Sequence, residues 1–147
     1  MSHVASIDLD VKDLDALAFA CKRLGLEFRQ GQKSYRWYGE IVGDFPLPAG
    51  FVAEDLGKCE HAISVPGNAD AYEVGVVRRR DGRPGYALMW DFYGGGFGLQ
   101  EFVGRNCSKL KQSYAAEVTI RQARKMGFGV REEANADGNI RFTLSKA

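Results

Sequence analysis

Residues 72–92 read YEVGVVRRRDGRPGYALMWDF, and their pattern decides the fold class. Tyr72, Val74 and Val76 alternate, and Tyr86, Leu88, Trp90 and Phe92 alternate on the return. Two runs of period two predict a β-hairpin, with Arg80-Asp81-Gly82-Arg83-Pro84-Gly85 as its turn. The Asp-Gly pair supplies the positive φ that such a turn needs. Alternation places Tyr86, Leu88, Trp90 and Phe92 on one buried face, with Ala87, Met89, Asp91 and Tyr93 opposite.

The flanks complete the pattern. His3, Ala5, Ile7, Leu9 and Val11 alternate with Val4, Ser6, Asp8 and Asp10, which predicts a first strand. Asp13 then stands as an N-cap before Leu14, Leu17, Ala18, Cys21 and Leu24 at helical spacing, and Gly25 occupies the C′ position. A second strand starts at Leu26–Phe28, Gln30–Lys33 turns, and aromatic content predicts a third strand over Ser34–Tyr38. Residues Asp44–Gly57, with Pro46, Pro48, Gly50 and Gly57, form a long surface loop in this reading. His61–Val65 is a short strand ended by Pro66-Gly67. Beyond the central hairpin, Tyr93–Gly98 breaks regular structure. A second helix is predicted from Asn106 to Met126, with an inward stripe of Ala116, Thr119, Ile120, Ala123 and Met126, closed by Gly127. Phe128–Ala134 and Ile140–Ser145 pair across Asp137-Gly138. The order predicts an α+β fold: a mainly antiparallel sheet with two helices packed on one face. A ferredoxin-like arrangement is one candidate, and the strand order stays open.

The chain has 147 residues, enough for a single α+β domain over residues 1–147. Twenty Lys+Arg against nineteen Asp+Glu give a net charge of +1. Ordinary hydrophobicity and low net charge exclude a disordered chain. They also argue against a polyanion binder driven by total charge, because counterion release needs surplus cations. The N-terminus lacks the basic and apolar regions of a signal peptide, and no apolar run is long enough to span a membrane. Three widely spaced cysteines, Cys21, Cys59 and Cys107, are no disulfide framework. The expectation is a cytoplasmic protein without a membrane partner.

Chemistry-bearing constellations are sparse. Cys59-Glu60-His61, with His3, is chemically suited to zinc but lacks the usual paired spacing, so no metal site is expected. Asp8, Asp10, Asp13 and Asp15 fail the EF-hand pattern, because Asp13 and Phe19 stand where Gly and Glu are needed. No G-x-S-x-G elbow exists. Cys21 lies on the buried helix stripe and is expected to be inert; Cys107 lies near a helix start, where a thiolate would be stabilised. Gly94–Gly98 matches neither a P-loop nor a dinucleotide fingerprint, although successive glycines let backbone amides converge on an anion. No enzyme and no cofactor are expected.

The most informative pattern is arginine beside aromatic rings. Arg78, Arg79, Arg80 and Arg83 crowd one hairpin tip, while Arg36, Trp37, Tyr38 and Tyr93 supply a further cation and stacking faces. Guanidinium forks and rings suit phosphate-and-base ligands. Gly95 and Gly96 would add backbone donors. The opposing reading is that Trp90 and Phe92 are core and the arginines are a solvated turn that blunts an edge strand.

Several stretches taken in order resemble the DUF1257 family, which includes Ycf35-like proteins of plastids, cyanobacteria and phages. They are Met1-Ser2-His3, Leu24-Gly25-Leu26, Met89-Trp90-Asp91-Phe92-Tyr93-Gly94, Ser113-Tyr114-Ala115 running to Ala123 and Gly127-Phe128, and Asp137-Gly138-Asn139-Ile140-Arg141. The resemblance implies a non-secreted, cytoplasmic α+β domain (host cytoplasm for a phage protein) and no particular activity. Combined with the arginine–aromatic pattern, the expected function is a non-catalytic module for a small anionic ligand such as a nucleotide, held at a subunit interface. A nucleotide-sequestering phage protein would have this profile. The alternatives are a protein-interaction adaptor or inhibitor docking through the Pro-rich loop or an exposed strand, and a single-stranded nucleic-acid binder. Edge-to-edge strand pairing would make a homo-oligomer.

Overall fold

The computed structural model describes residues 2–41, 43, 45–134 and 139–146. Its elements are β1 (Val4–Val11), α1 (Leu14–Arg23), β2 (Glu27–Gln30), β3 (His61–Ser64), β4 (Val74–Arg78), β5 (Tyr86–Asp91), a short α2 (Leu99–Val103), α3 (Ser108–Lys125), β6 (Phe128–Ala134) and β7 (Ile140–Lys146). Asp44, the first residue of the predicted loop, lies outside the described residues, as do Met1 and the predicted Asp137-Gly138 turn.

Helix α1 forms where its caps dictate. The Asp13 carboxylate accepts the Ala16 amide at 3.0 Å and the Arg121 Nε–H at 2.9 Å. At the other end the Leu26 amide donates to Cys21 O and the Gly25 amide to Lys22 O, a Schellman pattern that needs the left-handed φ of +75° at Gly25. Helix α3 is tied to the β1–α1 junction by its Tyr114 hydroxyl, which accepts the Lys12 and Asp13 amides.

The main sheet has the order β1-β5-β4-β3-β2, with every neighbour antiparallel. Strands β2 to β5 run as a meander, and α1 carries the chain across the sheet so that β1 and β2 take opposite edges. Strands β6 and β7 pair only with each other. The arrangement therefore departs from the ferredoxin-like candidate, in which the strand after the second helix would return to the sheet.

One face of the sheet packs under the helices. Ile7, Val11, Ile63, Val74, Val76, Leu88 and Trp90 meet Leu17, Ala20 and Cys21 of α1 and Leu110 and Tyr114 of α3. The predicted α3 stripe is right at Ala116, Ile120 and Ala123, but Thr119 and Met126 are exposed and the N-terminal half contributes Leu110, Ser113 and Tyr114 instead. Thr119 returns its hydroxyl to Ala115 O at 2.9 Å.

The second face is also buried. Val4, Ala62, Val77, Ala87 and Met89 pack under Tyr35, Trp37, Phe51, Leu56 and Cys59 of the long β2–β3 connection. This corrects two expectations. The predicted strand Ser34–Tyr38 is no strand; only Ser34 bridges Lys58. Instead the segment crosses the sheet face, because Gly75 has no side chain and the Tyr35 ring fills that space, lying 2.3 Å from where a Cβ on Gly75 would sit. The Pro-rich loop is likewise a partial cover for this second core and not wholly a surface excursion.

Candidate functional site

The β2–β3 connection leaves two openings on the second face. The first is a groove of about 610 Å³ at the β4–β5 turn, floored by Ser6, Ala87 and Met89 and walled by Phe51, Arg79 and Arg80. The second is a cleft of about 740 Å³ over β2 and β3, lined by Arg29, Gln32, Ser34, Arg36, Ser64 and Asn68, with Glu73 at its base.

The arginine triplet is split: Arg78, the last residue of β4, lies on the helix face, whereas Arg79 and Arg80, beyond the strand, both wall the groove. The Arg78 guanidinium is 5.7 Å from the Tyr86 ring centre. Arg79 pairs with Asp10 at 2.6 Å and with Asp81. Arg80 pairs with Asp55 at 3.2 Å and stacks over Phe51 at 4.8 Å. Arg83 reaches Asp81 at 3.9 Å. The bond from Arg79 holds the Asp81 carboxyl well below the usual carboxylate range, so the counter-charge is present at any ordinary pH. The groove at the hairpin tip therefore carries its own anions, and a ligand there must displace them.

The second cleft is different. Arg29 donates to Ser64 Oγ at 3.0 Å and to Glu27 at 3.2 Å, and Arg36 donates from Nη1 to Ala71 O at 2.8 Å. Glu73 is buried, but its Oε1 is already occupied by the Arg36 amide at 2.8 Å and by Gln32 Nε2 at 3.3 Å. The Arg36 guanidinium makes no carboxylate ion pair among the described residues. The opening also holds the Glu73 carboxylate, and Arg29 and Gln32 are already engaged, so the donors left for a phosphate or carboxylate are those of the Arg36 guanidinium beyond its bond to Ala71 O.

The remaining predicted site residues are dispersed. Trp37 packs into the second core. Tyr38 is exposed, and its amide donates to Asp91 Oδ2 at 3.1 Å. The Tyr93 amide donates to Asp91 Oδ1, and its ring joins His3 and Phe97. Gly94, Gly95 and Gly96 take φ of 61°, 65° and 67° and turn the chain toward α2; the Gly95 amide donates to Phe92 O and is not offered to a ligand. Asp91, the residue that ties these segments together, has no exposure and accepts the His3, Tyr38 and Tyr93 amides at 2.9–3.1 Å. Sequence reasoning passed over it. Alternation sets it opposite the buried Leu88–Trp90 face, and only the roof over that second face buries it; the signal left in the sequence is a carboxylate flanked by aromatic residues.

The cysteine and histidine candidates resolve simply. Burial pushes the Cys107 thiol up to about 12, which reverses the expectation of a stabilised thiolate at a helix start. The Cys21 thiol is also pushed up to about 12 by burial, and the Cys59 thiol to about 11. Cys59 Sγ donates to Gln32 O at 3.2 Å, and His61 Nδ1 accepts the Gly31 amide at 2.9 Å, so each has a protein partner. Among the described residues no group of three His, Cys, Asp or Glu side chains comes together as a metal site. Among them, too, no helix is long and apolar enough to cross a membrane.

The protein is thus an α+β domain whose second sheet face is roofed by a long connection that leaves two polar openings. The chain belongs to the DUF1257 family of proteins of unknown function, whose model matches residues 52–143. That match covers β3, the central hairpin, α2, α3, β6 and the first half of β7, but not Arg29 or Arg36. No curated protein and no solved structure matches the chain.

Proposed function

We propose that this protein is a non-catalytic binding module for a small anionic ligand such as a nucleotide, with the anion held in the cleft over β2 and β3. The observation that carries this reading is the Arg36 guanidinium, which lines the cleft beside Arg29 and has no carboxylate neutralising it among the described residues. Its backbone is fixed on both sides, because the Arg36 amide donates to Glu73 and Arg36 O accepts the Glu73 amide at 3.0 Å. The guanidinium itself is oriented by its bond from Nη1 to Ala71 O at 2.8 Å, which lowers the entropy forfeited on meeting an anion. The hairpin arginines are the weaker choice, since Arg79, Arg80 and Arg83 are each engaged by aspartate.

The test is native mass spectrometry and calorimetry with inorganic phosphate and a mixture of mononucleotides. The expected result is a defined nucleotide adduct. Arg36→Ala should weaken binding about tenfold or more, the scale of one charge-assisted hydrogen bond. A triple Arg79→Ala, Arg80→Ala, Arg83→Ala variant should leave binding unchanged. Loss in the triple variant with retention in Arg36→Ala would move the site to the hairpin groove. No adduct with either probe would refute the reading.

A further inference from the structure

The closing hairpin has an apolar face that neither core uses. Its register pairs Val130 with Leu144, Glu132 with Phe142 and Ala134 with Ile140, so these side chains and Phe128 share one face. None of its apolar residues belongs to the two hydrophobic clusters, and Leu144 is 48% exposed. The hairpin is held to the body partly by charge: Arg23 of α1 grips Glu132 with both guanidinium branches and Glu117 through Nε at 2.6 Å. Two strands with a half-open apolar face are marginal in water; three or more strands with such a face are stable.

The free edges of the molecule are not alike. β1 is broken by a register shift between Ile7 and Val11 and carries Asp8 and Asp10, and β2 is four residues long and carries Glu27 and Arg29. Both are edges of the kind that resists pairing. β6 and β7 are each seven residues of regular strand with no further neighbour among the described residues, but β6 carries Arg131, Glu132 and Glu133 in a row, whereas β7 carries charges only at Arg141 and Lys146.

We infer that the partner for this edge is a second copy of the chain: β7 pairs antiparallel with β7 of another molecule about a two-fold axis through Thr143. This is the antiparallel register that uses all seven residues of the strand. In it Arg141 faces Ser145 of the other copy, Lys146 faces Ile140, and Phe142 faces Leu144 twice, so no like charges oppose and the two apolar faces become one. A register shifted by half a residue about the axis would set Arg141 against Lys146. The product is a four-stranded sheet β6-β7-β7-β6 with a two-fold, isologous contact at its centre and the charged β6 strands, carrying Arg131, Glu132 and Glu133, at its outer edges. This goes beyond the anion-binding reading and does not depend on it.

Sedimentation equilibrium of the wild-type chain should give a dimer. Thr143→Glu places a carboxylate opposite Arg131 within its own hairpin, which favours the hairpin, but opposite its own copy across the axis. It should raise the dimer dissociation constant about tenfold or more while the circular dichroism spectrum of the folded chain is retained. Thr143→Cys should oxidise with diamide to a covalent dimer, because residues directly opposite lie roughly 4.5–5.5 Å apart at Cβ. Ser145→Cys, which faces Arg141, should not. The native cysteines are buried and leave the readout clean. A wild-type monomer at high micromolar concentration would overturn the inference. So would a dimer indifferent to Thr143→Glu, or equal cross-linking of the two cysteine variants.

Discussion

Replacing Asp91 tests how the roof over the second sheet face is held. The carboxylate is fully buried and accepts three backbone amides, His3 and Tyr93 on Oδ1 and Tyr38 on Oδ2. It thus pins the chain start, the end of β5 and the β2–β3 connection to one point. Asp91→Asn keeps an oxygen for His3 and Tyr93 but turns an amide donor toward the Tyr38 N–H. One charge-assisted bond is lost and two donors face each other, which costs about 2 kcal/mol. Asp91→Ala leaves all three amides without their acceptor. Each fully buried orphan costs about 1–3 kcal/mol, and water recovers part because these amides are half-buried, so about 3 kcal/mol is expected in total. Against a domain stability of roughly 5–15 kcal/mol either loss is large. Urea denaturation followed by circular dichroism measures both. The asparagine variant should also bind anion less well, because Tyr38 is two residues from Arg36 and releasing it loosens that guanidinium. An Asp91→Asn midpoint corresponding to less than about 0.5 kcal/mol of destabilisation would refute the clamp.

Two further outcomes come one from each face of the sheet. Gly75→Ala puts a methyl 2.3 Å from the buried Tyr35 ring and should destabilise by about 1–3 kcal/mol, with most of that loss absent in a Tyr35→Ala background. His61 is held below its ordinary value of 6.5, first by burial and then by the Lys33 charge. Its depressed folded-state pKa means that the unfolded chain takes up the proton first. The stability contributed above pH 6.5 is therefore lost as the pH falls from there through the folded value. The urea midpoint should drop between pH 7.5 and 5.5, and His61→Gln should flatten that drop; identical pH profiles would show that His61 carries no such linkage.

Much of the fold was legible because it is local. Asp13 and Gly25 bracket α1 through caps made within a turn of each helix end, and the Asp81-Gly82 turn pairs the strands on either side of it. The closing hairpin, expected as Phe128–Ala134 and Ile140–Ser145 across Asp137-Gly138, forms as Phe128–Ala134 and Ile140–Lys146, although that turn lies outside the described residues. The candidate site was legible only in its residue types. Arg36 was among the residues singled out, but Arg29 was not, since nothing near Glu27-Phe28-Arg29 marks it as a neighbour of Arg36. The hairpin arginines looked like free cations because Asp10 and Asp55 are distant in sequence.

The division has one physical cause. Periodicity and turn chemistry are properties of a few consecutive residues, so the amino-acid sequence by itself determined β1, α1, the central hairpin, α3 and the closing hairpin. Which strand lies beside which, and which charge meets which, depends on contacts between residues far apart along the chain. Only the tertiary structure decided that β1 pairs with β5, that Tyr35 crosses the sheet over Gly75 and does not extend an edge, and that Asp91 gathers three amides. Only it decided that Cys107 is buried and that, among the arginines singled out at the start, Arg36 is the one lining an opening without a carboxylate ion pair among the described residues.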